Sequence, residues 1–311
     1  MMTEESRTRP WMISTDESSS LESNPISKSY DEIPASSYDG KTTTGSVSAS
    51  LLVDDVIHEI LQFLDSLFIV QICMKISRQW REMSLRIPLS LTLDPIEART
   101  LSIYKPIYKG SKLVEYISRS EHLKKLISLD LSSNRIDADC AQVLANSELV
   151  KNLTMLRLAS NDIRSKGAEF IANSQYLTNL TSLDLSENLI RAEGAEFIAN
   201  SKSLTNLTSL DLSSNEIRHR GAGFLERSKV MKNLVSLKLC DNMLSLEGTK
   251  RIVNCVYLNK LTSLDLTSNG IDSDGAKLIA NSETLTNLTS LDLSSNRIGP
   301  KEQQLLQIPN V

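Results

Sequence analysis

The chain has 311 residues, of which 40% are hydrophobic and 23% charged, and its formal net charge is −4. This composition predicts a soluble globular protein with about two domains. Residues 1–50 hold eight acidic and four basic side chains, so the rest of the chain is electrically balanced. A dedicated nucleic-acid binder would carry a basic excess on its folded part, and we therefore expect no nucleic-acid partner.

Residues 1–50 form a Ser/Thr-rich tail with 13 Ser and 6 Thr and few large apolar side chains. So little hydrophobic surface cannot offset chain entropy, and the composition predicts disorder. The start, MMTEESRTRP, lacks an apolar core, and the longest unbroken apolar run near it is Leu67 to Val70. We therefore expect neither a signal peptide nor a membrane span, and an intracellular location, cytoplasmic or nuclear.

The sequence of residues 51–85 predicts a short helical block. Asp54 or Asp55 can cap a first helix, and a second apolar pattern at spacings of three and four runs from Ile69 to Met83. Two short amphipathic helices cannot form a large core alone, so they must pack on another element or on a partner.

The order of this block resembles an F-box. The residues that carry the resemblance are Leu52, Asp54 to Ile57, Glu59 to Leu61, Phe63 to Asp65 and Ser77 to Arg81. The sequence departs from the family pattern at Val53, where the family has Pro, and by one extra residue between Asp65 and Trp80. The resemblance implies that Leu52, Val56, Ile60, Leu64 and Trp80 dock the Skp-type adaptor of a cullin ubiquitin ligase. The alternative is a cap that shields the apolar edge of the repeats behind it.

The sequence of residues 86–125 predicts a linker and a degenerate first repeat. The segment LVEYISRSEHL, residues 113–123, has Val114, Tyr116 and Ile117 at the positions that Ala141, Val143 and Leu144 take one repeat later. This spacing predicts a helix. Counting back by one repeat places the strand of this unit around Leu101 and Ile103.

Residues 126–311 contain seven copies of Leu-x-x-Leu-x-Leu-x-x-Asn-x-Ile, with Leu in place of the final Ile in the fifth. The copies are 27 residues apart, and their asparagines are Asn134, Asn161, Asn188, Asn215, Asn242, Asn269 and Asn296. Such a period is typical of a solenoid, in which each unit buries its leucines against its neighbours. Four N-x-T sequons, at Asn152, Asn179, Asn206 and Asn287, follow the same period, and repetition explains them better than glycosylation.

One repeat predicts a strand, a turn and a helix. Leu210 and Leu212 alternate with polar residues, as in a strand with one buried face, and Asn215 follows where its amide can bond to turn backbone. Seven such asparagines predict an internal ladder. Residues 165–174 have helical periodicity, with Gly167 placed at the turn from strand to helix.

This pattern resembles the leucine-rich repeats of the ribonuclease-inhibitor-like type over roughly residues 100–308. The resemblance implies an α/β horseshoe, with a parallel sheet on the concave side and helices on the convex side. The repeats are also similar to those of the Ran GTPase-activating protein, which implies GTPase regulation as one possible function.

In such a stack, residues 27 apart lie about one strand spacing apart, so equivalent positions form lines on the surface. The strand line has five Asp interrupted by Arg157 and Lys238, which is either a self-compensating ladder or a strip for a basic ligand. A second line predicts a basic edge that could hold an acidic partner, or that is simply solvated. The fifth repeat departs most from the consensus, by drift or as an interface. The candidate partner-binding residues are Arg157, Arg164, Arg191, Arg218, His219, Arg220, Lys238, Asp241, Met243 and Leu246.

No arrangement in the sequence indicates catalysis, a metal or a cofactor. His58, His122 and His219 fall in unrelated places, and no triad, phosphate loop or zinc pattern is present. Four cysteines lack C-x-x-C spacing, which favours isolated thiols. The sequence therefore predicts a non-enzymatic protein-interaction protein. Substrate recognition in a ubiquitin ligase comes first, with a stand-alone scaffold and a GTPase regulator as alternatives.

Overall fold

The computed structural model describes residues 89–92, 110–118, 123 and 125–303. The predicted tail, the helical block with its five adaptor-docking residues, and the predicted strand around Leu101 and Ile103 lie outside these residues. Within the described ranges, no helix is both long and apolar enough to span a bilayer.

The strands form one parallel sheet whose order follows the order of the chain. Parallel neighbours with a helix in every connection are the arrangement that the repeats predict, and the α/β repeat fold is confirmed. The strands are β1 Leu89–Thr92, β2 Leu126–Asp130, β3 Met155–Arg157, β4 Ser182–Asp184, β5 Ser209–Asp211, β6 Ser236–Lys238, β7 Ser263–Asp265 and β8 Ser290–Asp292.

The first strand does not keep the 27-residue spacing. Leu91 of β1 lies opposite Leu129 of β2, 38 residues later, and the register shifts between Leu89 and Ser90. Residues 89–92 therefore occupy this edge of β2, and the predicted strand around Leu101 and Ile103 falls outside the described residues. Leu-Ser-Leu-Thr has the alternation of a strand, which is a better guide here than the fixed period.

Helices follow the strands in the same regular way. They are α1 Gly110–Ser118, α2 Ala138–Ala145, α3 Arg164–Ala172, α4 Arg191–Ala199, α5 Arg218–Glu226, α6 Ser245–Val253, α7 Ser273–Ala280 and α8 Pro300–Gln303. The helix predicted within residues 113–123 is confirmed as α1, and its Val114 and Ile117 are buried.

The core lies between the sheet and the helices. The central leucines of β2 to β8 stack directly on one another in register, and each is at most 1% exposed. From the other side, Ala168 and Ile171 of α3 are fully buried, as the helical spacing predicts. Each repeat therefore buries its leucines only because another repeat lies beside it.

Gly167 lies inside α3, so the prediction that it forms the turn before the helix was wrong. A Cβ at this position would lie 2.5 Å from Ile163 Cγ2 and 3.2 Å from Ala141 Cβ on the preceding helix. The glycine is needed because adjacent helices pack closely at this point. Gly194, Gly221 and Gly248 stand at the same position one, two and three repeats later.

The ladder asparagines connect each repeat to the one before it. Asn215 Oδ1 accepts hydrogen bonds from the backbone N–H groups of Asn188 and Ile190, at 3.0 and 3.2 Å. Its Nδ2 donates to the carbonyl oxygens of Leu185, Leu212 and Ser213, at 2.8 to 3.0 Å. Asn215 is fully buried. Asn161, Asn269 and Asn296 make the same five bonds, and Asn188 and Asn242 make four of them. The predicted internal ladder is confirmed.

The turns after the asparagines use left-handed backbone at residues other than glycine. In the fourth repeat, Ser214, Glu216 and Arg218 have φ values of 53°, 55° and 58°. The first and sixth repeats instead have Asp137 and Asp272 at the position of Arg218, and these two residues are extended and cap the next helix with their carboxylates. An aspartate cap thus replaces the left-handed residue wherever the sequence supplies one.

Two more polar ladders accompany the asparagines. Threonine hydroxyls beside five of the strands donate to a carbonyl one repeat earlier, and serine hydroxyls that follow several of the helices do the same. The threonines are Thr154, Thr181, Thr208, Thr262 and Thr289, and the serines include Ser174, Ser201 and Ser228.

The sequons have a structural role, which explains their repetition. Asn179, Asn206 and Asn287 each donate from Nδ2 to a carbonyl of the preceding repeat, at 2.6 to 2.9 Å. The threonine two residues after each belongs to the threonine ladder. Both residues are therefore retained by contacts between repeats.

Replacing Asn215 by Ala should leave the buried N–H groups of Asn188 and Ile190 without an acceptor, while the three carbonyls keep their other donors. At about 1–3 kcal/mol for each buried group that finds no substitute, we expect a loss of unfolding free energy of about 3–5 kcal/mol. Asn206→Ala is the control, since it removes one exposed bond and should cost about 0.5 kcal/mol or less. Urea unfolding followed by circular dichroism measures both, and equal losses would contradict the ladder's structural role.

Two glycines of α5 should respond to alanine in opposite ways. A Cβ at Gly221 would press on Ile217 Cγ2 and lie 3.2 Å from Ala192 Cα, whereas nothing lies within 4 Å of one at Gly223. Gly223→Ala should stabilise the protein by about 0.5–1 kcal/mol through helix propensity. Gly221→Ala should destabilise it by about 1–3 kcal/mol through overpacking. Thermal unfolding of the two variants checks the sign of each effect.

Candidate interaction surfaces

We call the surface formed by the outward side chains of the strands the sheet face. Its line of charged residues contains the two predicted cations, and each contacts the carboxylate one strand earlier. Arg157 lies 3.7 Å from Asp130, and Lys238 lies 3.4 Å from Asp211. Both cations are about half exposed, so these pairs contribute little to stability. The arrangement is that of the self-compensating ladder.

The aspartates of this line also bond to their own turns. Asp130 Oδ1 accepts from the backbone N–H and the hydroxyl of Ser132, at 3.0 and 2.7 Å. Asp184 and Ser186 repeat the pattern. At Asp292, hydrogen bonds from the Ser294 side chain and backbone lower the carboxyl pKa below its usual value. These carboxylates therefore help to fix the turn after each strand.

We call the row of turns after the ladder asparagines the turn edge. It carries the predicted arginines, and most of its basic side chains contact carboxylates. Arg164 bonds to Asp162 through both Nε and Nη2, and Arg191 Nε lies 3.4 Å from Glu216 Oε2. Arg220 lies 3.4 Å from Glu193. Among the described residues, Arg218 and His219 make no ion pair, and both are exposed.

The fifth repeat exposes the residues that depart from the consensus. Met243 is 54% exposed and Leu246 is 37% exposed, and Asp241, in the same turn as Met243, is also exposed. The prediction that Met243 faces water is confirmed. Asp241, Met243 and Ser245 all have left-handed φ, at 51°, 54° and 55°. The backbone holds Met243 outwards, because its neighbours Asn242 and Leu244 are both fully buried.

Sequence reasoning missed two further exposed aliphatic residues of this region. Val235 is 44% exposed and interrupts the threonine ladder, and Val256 is 65% exposed at a position that is Glu, Gln or Lys in the other repeats. Both differences are visible in an alignment of the repeats, so the signal was present. Of the seven exposed large hydrophobic residues in the described part of the chain, four lie in residues 226–256.

The three described cysteines are free, and each has a raised thiol pKa. Burial raises the pKa of Cys140 and of Cys255 to about 11. Cys255 takes the serine position of its repeat, and its Sγ lies 3.7 Å from the Leu225 carbonyl oxygen. For the half-buried Cys240, burial is again the main cause, and nearby carboxylates add to it, with Asp265 first among them. Within the described ranges, no three metal-ligating side chains come together.

Alkylation should distinguish Cys240 from the two buried thiols. Only the thiolate reacts, so at about pH 8 Cys140 and Cys255 should stay unmodified in the folded protein, and Cys240 should react slowly. Raising the salt concentration from about 0.05 M to about 1 M screens the aspartates, which should lower the pKa of Cys240 and speed its reaction about twofold. Peptide mapping after iodoacetamide treatment measures each rate. A rate for Cys240 that ignores salt would mean that burial alone sets its pKa.

Comparison with known proteins finds one family. A family model described as leucine rich repeat matches residues 122–145, 151–172, 176–199, 203–225, 257–280 and 284–301. These matches include six of the seven repeats, and residues 226–256 of the fifth repeat fall between two of them. No curated protein matches the chain.

Proposed function

Residues 122–301 of this chain are leucine-rich repeats, and from this premise we propose that the protein works by holding a protein partner on the surface of the repeats. One observation carries the proposal. The fifth repeat keeps its buried leucines and its buried ladder asparagine, yet it exposes Val235, Met243, Leu246 and Val256 to water. Exposed apolar groups of this kind are typical of interaction sites.

More specifically, we propose that this chain is the substrate-recognition subunit of a cullin-type ubiquitin ligase. The support is the order of an F-box-like block, residues 51–85, followed by repeats. The adaptor and the cullin would be its partners, and ligase chemistry would come from them, so the proposal assigns no catalytic step to this chain. An intracellular location, cytoplasmic or nuclear, belongs to the proposal, and the free thiols of Cys140, Cys240 and Cys255 agree with a reducing compartment.

The alternatives are a stand-alone scaffold and a GTPase regulator. In the scaffold, residues 51–85 would serve only to cap the repeats. The GTPase hypothesis requires basic side chains that are free to face a nucleotide. Arg164 instead contacts Asp162, and Arg191 contacts Glu216, which argues against this hypothesis. We therefore place the regulator last.

Co-purification tests the ligase proposal. The full-length chain, expressed with a Skp-type adaptor and a cullin, should retain both, and Trp80→Ala should lower adaptor recovery about tenfold at an unchanged melting temperature. Trp11→Ala, in the tail, is the matched control and should recover as much adaptor as the natural chain.

If the natural chain recovers no adaptor, or Trp80→Ala changes only the melting temperature, the ligase proposal fails. The same experiment tests the broader proposal that the repeats hold a protein partner, because it shows whether other proteins are retained through the repeats. A set of partners that survives Trp80→Ala would indicate the stand-alone scaffold.

A further inference from the structure

The turn edge of repeats two to four presents three arginines from equivalent backbone. The N–H groups of Arg164, Arg191 and Arg218 each donate, at 2.9 Å, to the carbonyl of the ladder asparagine one repeat later. All three residues are left-handed, with φ between 56° and 58°. Their side chains therefore start from the same place in successive repeats and have access to the same surrounding positions.

Carboxylates reach these arginines from one position, the residue that follows each ladder asparagine. In the second to fifth repeats this position holds Asp162, Leu189, Glu216 and Met243. Arg164 uses the carboxylate of its own repeat, at 2.7 Å. Arg191 has only Leu189 in its own repeat and uses Glu216 of the next, at 3.4 Å. Two carboxylates thus serve three guanidinium groups.

Arg218 is the arginine for which no carboxylate remains. Glu216 of its own repeat contacts Arg191, and the equivalent position in the next repeat is Met243. Should Glu216 turn to Arg218, Arg191 would lose its partner, because Leu189 offers none. In either arrangement of these described residues, one of the two guanidinium groups, that of Arg191 or that of Arg218, lacks a carboxylate.

Arg218 is followed along the turn edge first by exposed apolar residues and then by acidic ones. Arg218 N bonds to the carbonyl of Asn242, the residue before Met243, so the backbone of Arg218 lies beside the turn that exposes the methionine. Leu246 follows on the same turn edge. In the sixth repeat, the positions of Arg218 and Arg220 are taken by Asp272 and Asp274, and Asp274 lies 3.1 Å from Lys277. The edge therefore changes from basic to acidic across the exposed apolar residues.

We propose that the turn edge of repeats four and five binds a protein segment in which a carboxylate lies next to an aliphatic side chain. The carboxylate takes at Arg218 the place that Glu216 takes at Arg191, and the aliphatic group covers Met243 and Leu246. Asp272 would repel an acid on the other side, which fixes the direction of the segment. This inference rests on the proposed protein-binding function and names the class of partner.

Selection from a phage-displayed library of random dodecapeptides, with the full-length chain as bait, tests this directly. Enriched peptides should carry Asp or Glu within a few residues of Leu, Ile, Val or Met. A synthetic copy of the most enriched peptide should bind about tenfold more weakly to Arg218→Ala. Arg164→Ala is the matched control, since that arginine already has Asp162, and it should leave binding within about threefold.

Met243→Glu should weaken peptide binding more than Arg218→Ala or Arg164→Ala does. It supplies from within the chain the carboxylate that we assign to the partner. It should abolish measurable peptide binding with little change in melting temperature, because an exposed ion pair alters stability by at most about 1 kcal/mol. Met243→Leu keeps the apolar surface and should retain binding. The melting temperatures of all variants show that they are folded.

Three results would overturn the inference. Enriched peptides that are basic, or that lack an acid, would show that the partner class is wrong. Acidic peptides whose binding ignores both Arg218→Ala and Met243→Glu would show that they bind elsewhere, and the proposed function would stand. A library with no enrichment would remove the inference, while the co-purification experiment decides the proposed function separately.

Discussion

Every repeat must satisfy five backbone groups that the turn after its strand leaves inside the protein. Backbone bonds between neighbouring turns, such as Glu187 N–H to the Ser213 carbonyl, leave the buried N–H groups of Asn188 and Ile190 without a backbone acceptor. One amide side chain solves the problem, because it accepts at Oδ1 and donates at Nδ2 on both sides of the repeat boundary. Asn188, Asn215 and Asn242 do so with no exposed surface. Since only asparagine has both functions at this length, the period cannot drift by a residue.

The same constraint explains why strained backbone is tolerated nearby. Leu189, Glu216 and Met243 have left-handed φ values, which cost about 1 kcal/mol or more for residues with a Cβ. Each follows a ladder asparagine whose bonds fix the turn. A residue held in this way points outwards whatever its chemistry, so this position can change from acid to leucine to methionine without loss of the fold. The turn edge is therefore where one repeat can differ from the next.

Side chains that look functional in the sequence divide into two groups in the structure. The aspartates of the sheet face bond to their own turns, as Asp130 does to Ser132, and two of them also neutralise Arg157 and Lys238. They belong mainly to the scaffold. On the turn edge, Met243 stands where a carboxylate could have served Arg218. The fifth repeat is thus distinctive because of what its neighbours lose as well as what it exposes.

The sequence by itself determined the repeat, the strand and helix of each unit, the buried leucines and the asparagine ladder. It could do so because each of these depends on contacts that recur at a fixed spacing. The strand β1 departs from this spacing, since Leu91 pairs with Leu129, 38 residues later. Gly167 was misplaced because its role depends on a neighbouring helix that the local pattern does not show.

Only the tertiary structure decided which charges are in contact. The sequence aligns Arg164, Arg191 and Arg218 as equivalent, but their surroundings are not equivalent. Arg164 turns to its own repeat and Arg191 to the next, and this choice leaves Arg218 without a carboxylate. An arginine on this edge can reach more than one carboxylate. Three-dimensional distances and competition among neighbouring arginines therefore select which ion pairs form. A one-dimensional pattern contains the candidates but not the outcome of that competition.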